Sequence, residues 1–224
     1  MGRMNRGETT KLSIKLSKDA RDNIKKSAKN LNLSQAGVIL FSLAHILKNP
    51  PSKTDLLNYE NRIVLEPGHF PLTIKREYGT IIDDLQQVHE MPKNKLVGLI
   101  VSNAFERPED ENNICFEEHD TTPKQINVIL NSDLKKKIIE YSDRNYVALS
   151  GMVSAAIIKG PYEALPQYTS SQTESFFTNI PMYIYNKVKS ESDQLGIPEH
   201  FYVELCIYNV FYIFNENFDC RRGH

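Results

Sequence analysis

Residues Lys11 to Ser17 alternate polar and apolar side chains, with Leu12, Ile14 and Leu16 on one face, which is the period of a strand. The period then changes. From Lys18 to about Asn30 the apolar positions are Ala20, Ile24, Ala28 and Leu31, spaced by 4, 4 and 3, which predicts a helix with Ser17 at its cap and Asp19 in the first turn, where the dipole favours an acid. Asn30-Leu31-Asn32-Leu33 interrupts this pattern, and Ser34 is placed to cap a second helix that runs to about Lys48 and stops before Pro50-Pro51. The unit is strand, helix, turn, helix.

The same order recurs three times. The second unit has the strand Phe70 to Ile74, a helix through Ile81, Ile82, Leu85 and Val88, and a helix from Leu96 to Phe105 after Met91-Pro92. The third has Ile126 to Leu130, a helix through Leu134, Ile138 and Tyr141, and a helix with Met152, Val153, Ala156 and Ile157. The fourth has Phe176 to Ile180, a helix through Ile184, Val188 and Leu195, and, after Ile197-Pro198, a stretch to Phe214. From the last inward strand residue to the apolar residue before the second helix, the distance is 17 residues in every unit: Leu16 to Leu33, Ile74 to Met91, Leu130 to Val147, Ile180 to Ile197. The connections between units vary in length while this distance does not, which is the mark of an internal repeat. The predicted organisation is a basic arm over 1–9, units over 10–48, 69–106, 125–159 and 175–215, linkers over 49–68, 107–124 (acidic) and 160–174, and a tail over 216–224.

The second helices say how such units associate. Ala36 to Phe41 and Phe201 to Ile207 are apolar on nearly every face, so they need cover all round. A unit of about 40 residues is too small to supply it, and a lone strand leaves its ladder groups unpaired. Pairing solves both: two units join strands into an antiparallel ribbon and interlock their second helices beneath it. Unit one is expected to pair with two and unit three with four, within one chain. The linker of 20 residues from Asn49 to Gly68 reaches up to about 66 Å at about 3.3 Å per residue, so its length is no obstacle.

Composition narrows the function. An apolar share of 40% and a charged share of 25% over 224 residues are those of a globular chain. Residues 1–62 carry twelve Lys and Arg against five Asp and Glu, a balance of +7 in a chain of net charge -1, so the remainder carries -8. A basic first quarter suggests an anionic partner. Three cysteines (Cys115, Cys206, Cys220) with no Cys-x-x-Cys, and no leader pattern, point to a reducing cytoplasm. No apolar stretch reaches the length of about 20 residues that a membrane span needs. The histidines form no His-x-x-x-His and no glycine-rich phosphate loop is present, so no enzyme, metal or cofactor is expected. His45 reads as a core or rim residue, Cys220 and His224 as part of a terminal tail, and the acidic run Glu106 to Asp120 as a solvated spacer rather than a calcium loop.

Lys-Leu-Ser-Ile-Lys-Leu-Ser, followed by an amphipathic helix and Asn-Leu-Ser-Gln-Ala-Gly-Val-Ile, resembles the ribbon-helix-helix family of DNA-binding proteins, of the Arc, MetJ and CopG kind. The resemblance implies a mainly α fold with short two-stranded antiparallel β-ribbons: four tandem ribbon-helix-helix units forming two intramolecular pseudo-dimers. It also implies that outward ribbon residues read base edges in the major groove of double-stranded DNA while second-helix N-termini hold phosphate. Lys11, Ser13 and Lys15 suit guanine acceptors or phosphate. Gln125 and Asn127 suit adenine, and Ile129 a thymine methyl. Unit two offers His69, Pro71 and Thr73, and unit four Ser175, Phe177 and Asn179, of which Thr73 and Asn179 are the best readers. Ser34 and Ser150, at the starts of second helices, are the candidate phosphate anchors. Members of the family usually carry one unit and dimerise, so two unlike strands per ribbon imply a site that is not a perfect palindrome. The function expected is a transcriptional repressor of plasmid or phage type, nucleoid or plasmid associated. Two alternatives are an accessory protein at a transfer origin or partition site, and an antitoxin-like or adaptor module. Self-association into higher oligomers on DNA is left open.

Overall fold

The computed structural model describes residues 8–106, 119–145 and 147–213, and among them the chain is mainly helical, with two separate two-stranded antiparallel sheets. It divides into two compact halves: residues 8–28, 34–106 and 143–145 in one, and 29–33, 119–142 and 147–213 in the other. The predicted arm up to residue 7, residues 107–118 of the acidic run with Cys115, and the tail with Cys220 and His224 lie outside the described residues.

In the first half, β1 (Thr9–Lys15) is followed by α1 (Lys18–Leu31) and α2 (Gln35–Ile46), then α3 (Lys53–Arg62), β2 (His69–Lys75), α4 (Arg76–His89) and α5 (Lys93–Glu106). β1 pairs with β2, as expected, with Ser13 opposite Pro71 at the centre of the outward row. Each strand of a two-stranded ribbon has a free edge, so Pro71, which has no N–H, fits where that group would point away from the partner. Ile14, Leu72 and Ile74 on the inward face are 2% exposed or less, and Leu12 is half-buried. They cover α5, which runs beneath β1 and packs on α2. Val38, Ile39, Leu43, Leu96, Val97, Leu99, Ile100 and Val101 complete the core, so the all-round apolar character of α2 finds its cover. Each such side chain contributes about 1.5–3 kcal/mol.

The stretch read as a linker over 49–68 holds an ordered helix. α3 is capped at Ser52, whose hydroxyl accepts from Asp55 N–H while the Asp55 carboxylate accepts from the Ser52 amide, and it packs on α5 through buried Leu56 and Ile63. The Ser52 hydroxyl also donates to the Asp55 carboxylate at 2.6 Å, and that bond together with the one from the Ser52 amide holds the exposed Asp55 carboxyl below the usual carboxylate range.

The second half repeats the order: β3 (Pro123–Asn131), α6 (Ser132–Asn145), α7 (Leu149–Lys159), β4 (Thr173–Pro181), α8 (Met182–Leu195) and α9 (Glu199–Tyr208), which ends in a π-helical turn over Asn209–Ile213. β3 pairs with β4, with Asn127 opposite Phe177 at the centre of the outward row. α9 lies under β3 and α7 under β4, and the two helices pack on each other. Val128, Leu130, Ile180, Met152, Ala156, Ile157, Tyr202, Cys206 and Ile207 are fully buried between them. The Tyr202 hydroxyl donates to the Glu191 carboxylate, and burial together with that bond pushes it well above the ordinary phenol range. Burial pushes the neighbouring Cys206 thiol up to about 12.

The repeat is closer in the backbone than in the residues. The four first helices α1, α4, α6 and α8 are each 14 residues long. Each second helix begins 17 residues after its first helix begins: Lys18 and Gln35, Arg76 and Lys93, Ser132 and Leu149, Met182 and Glu199.

Candidate nucleic-acid interface

Both ribbons set their outward residues in the same register. In the first, Lys11 lies opposite Thr73, Ser13 opposite Pro71 and Lys15 opposite His69; in the second, Gln125 lies opposite Asn179, Asn127 opposite Phe177 and Ile129 opposite Ser175. Of these twelve residues ten are exposed, and Lys15 and Ile129 are half-buried at the strand ends nearest the first helices. The alternation that buries one face therefore leaves the other to solvent. Thr9 and Lys75, opposite each other, extend the first outward row by one pair. The β-branched pair Thr9-Thr10 before Lys11 was the signal for it.

A second shared feature borders the ribbons. The fourth residue of each first helix meets the partner strand, or for Arg21 the residue just before it, eight residues ahead of the partner's own first helix, and the contact is made with four chemistries. Arg21 Nη2 donates to the Gly68 carbonyl at 2.9 Å. Gly79 lets α4 approach Thr10 so closely that an added Cβ would lie 2.9 Å from Cγ2. Lys135 pairs with Glu174 at 2.7 Å, and Lys124 sits 5.1 Å from the centre of the Tyr185 ring. Where Gly79 closes the seam in the first half, Tyr185 in the second stands beside a groove of about 430 Å³ whose lining includes Lys124, Glu199, His200 and Val203.

No family model, curated protein or solved structure matches the chain.

The helix starts next to the ribbons differ in what they offer an anion. Ser34 is exposed and caps α2 as expected, its hydroxyl accepting from Gly37 N–H at 3.0 Å. That hydroxyl is engaged by its own helix, so a phosphate there would meet the first-turn amides instead. The cap of α7 is Ala148, not Ser150; Ser150 lies one residue inside the helix, half-buried, and no side chain caps that end. Ser150 therefore stands in the first turn, at the start of the second helix where it is expected. α2, α5 and α7 have no acid in the first turn, although the dipole would favour one, whereas α9 starts with Glu199.

First-helix caps follow the order of units. Ser17 Oγ accepts from Ala20 N–H at 3.3 Å and Asn131 Oδ1 from Asp133 N–H at 2.9 Å, while Lys75 and Pro181 make no side-chain cap. The amides of Ser17 and Asn131 are themselves taken by the opposite second helix: Ser17 N–H donates to Ser102 Oγ at 3.0 Å and Asn131 N–H to Glu204 Oε1 at 2.9 Å. These bonds tie each ribbon end to the core below and hold the outward row in place.

Charge shifts along the chain. Residues 8–106 carry fourteen Lys and Arg against eleven Asp and Glu, and residues 119–213 eight against ten. The outward row of the first ribbon holds Lys11 and Lys15, and that of the second holds no ionised side chain. No group of three or more His, Cys, Asp or Glu that could hold a metal ion occurs among the described residues, and no helix among them is long and apolar enough to cross a membrane. His45 packs edge-on against Phe41 at 5.0 Å, half-buried, in the rim position expected of it.

Proposed function

We propose that the chain is a sequence-specific double-stranded DNA-binding protein, built of four tandem ribbon-helix-helix units in two intramolecular pseudo-dimers, and that it acts as a transcriptional repressor of plasmid or phage type. The observation that carries this is the outward row of the first ribbon, where Lys11, Ser13 and Thr73 are exposed and Lys15 half-buried in one register. A two-stranded ribbon fits the major groove, which is about 12 Å wide, and lysine suits both guanine acceptors and phosphate. Acid-free starts at α2 and α5 favour phosphate beside that row. An accessory role at a transfer origin or partition site uses the same chemistry and differs only in the site bound.

The adaptor reading draws on a separate observation, the uncharged second row with Phe177 69% exposed at its centre. Titrating a random duplex with the full chain at rising salt tests the main reading. The expected result is binding whose logarithm falls with the logarithm of salt concentration; no binding to any duplex at low salt overturns it. Selecting bound fragments from a genomic pool then decides between promoter and transfer origin.

A further inference from the structure

We infer that the second ribbon reads a short A·T-rich step of the duplex while the first supplies charge and guanine contacts, an inference that rests on the DNA-binding reading above. Outward residues of an antiparallel strand recur every second position, about 6.8 Å at about 3.4 Å per residue. The three outward pairs of β3 and β4 thus run about 14 Å, which matches about four base-pair steps of about 3.4 Å.

Gln125 and Asn179 stand opposite each other at one end of that row, both exposed. A carboxamide offers an acceptor and two donors on one plane, the complement of the adenine N6 amine and N7. At the centre Asn127 faces Phe177, a ring 69% exposed with no polar atom. In the major groove the apolar feature of a base edge is the thymine methyl, and Phe177, with half-buried Ile129 at the far end, is placed to cover it. Guanine, with two adjacent acceptors, is served by Lys or Arg, and cytosine by a carboxylate; none of these types stands among the six residues. The two bordering lysines are engaged on their own half, Lys135 with Glu174 and Lys124 over Tyr185. A protein-docking face would centre on a contiguous apolar patch, whereas four of these six residues are Gln, Asn, Asn and Ser.

The test is selection of duplexes from a randomised pool with the full chain, repeated for Gln125→Ala with Asn179→Ala, and for Phe177→Ala. All three residues are exposed, so thermal melts of the variants should overlay that of the parent. The parent should enrich sites holding a run of about five A·T pairs beside a G·C-containing portion, and the carboxamide pair of substitutions should cost about tenfold in preference for that run while the G·C portion stays. Replacing thymine by uracil in the run should weaken the parent several-fold and Phe177→Ala markedly less. An enriched run indifferent to all of these substitutions overturns the inference and leaves the DNA-binding reading standing. Loss of a chain-to-chain or chain-to-protein complex in Phe177→Ala, with duplex preference unchanged, overturns it in favour of a docking face. Failure of the parent to bind any duplex overturns both.

Discussion

The two halves place their backbones alike and fill the same positions with different chemistry, and the fifth residue after each second-helix start makes the contrast sharpest. That position is Leu40 in α2, Gly98 in α5, Ser154 in α7 and Glu204 in α9. In the first half Gly98 lets α5 run so close under β1 that an added Cβ would fall far inside the Lys15 carbonyl oxygen. In the second half Glu204 reaches up instead, accepting from Asn131 N–H at 2.9 Å and from the Tyr168 hydroxyl at 2.9 Å. Ser154 is buried with no hydrogen-bond partner for its hydroxyl. One half closes the gap under its ribbon by contact and the other by a carboxylate. A packed backbone arrangement therefore constrains volume and satisfied amides at this position, and not residue type.

The largest effect should come from breaking the interlocked helices themselves. Ile39→Asp and Ile207→Asp each bury a charge at positions that are 0% exposed, and each should cost more than about 4 kcal/mol by denaturant unfolding. A denaturant midpoint unchanged from the parent for both would sink the paired-helix packing. Next is Gly98→Ala, expected to lose about 1–3 kcal/mol by overpacking against β1, while Ser154→Ala at the matching place should be neutral or stabilising because it removes an unpaired buried hydroxyl. Equal losses at the two positions would show that the halves are not built differently there. Glu204→Ala leaves the Asn131 amide and Tyr168 hydroxyl without their acceptor and should cost about 1–3 kcal/mol, read as a fall in melting temperature.

Substitutions on the outward rows should act on binding alone. Lys11→Ala and Lys15→Ala should leave the melt unchanged, and each should weaken duplex binding by about 1–3 kcal/mol where it reads a base or shrink the salt slope by about 1 where it meets phosphate. Unchanged binding in both would remove the first ribbon from the interface. The smallest effect belongs to the Lys135 and Glu174 pair at the ribbon border, where Glu174 is exposed: Lys135→Ala should cost no more than about 1 kcal/mol, and less in high salt.

Much of this frame was legible in the chain because its period changes sharply. The alternation at Lys11 to Leu16 and the 4, 4, 3 spacing from Ala20 to Leu31 each bury a face, so they leave a trace in hydrophobicity, and the constant 17-residue interval followed from the fixed length of the first helices. α3 left a weaker trace. It buries only Leu56 of its ten residues, and its clearest mark, Ser52 with Asp55 three residues on, lay behind a Pro-Pro pair read as the end of structure. The outward rows were legible residue by residue, but not which residues stand opposite each other, since Gln125 meets Asn179 only through a register set between strands more than forty residues apart. The same holds for Arg21 with Gly68 and Lys124 with Tyr185, contacts that belong to the pairing and to neither segment.

Joining both strands of each ribbon in one polypeptide changes how its assembly responds to dilution. Where two chains must meet, the ribbon falls apart as concentration drops; here β1 finds β2, and β3 finds β4, at an effective concentration fixed by the connecting segment, so the ribbon exists at any dilution at which the chain is folded. Symmetry is released at the same time. A substitution in a homodimer alters both strands at once, whereas Pro71 can change without Ser13 and Phe177 without Asn127, so the outward face of each of the four strands is free to change one residue at a time.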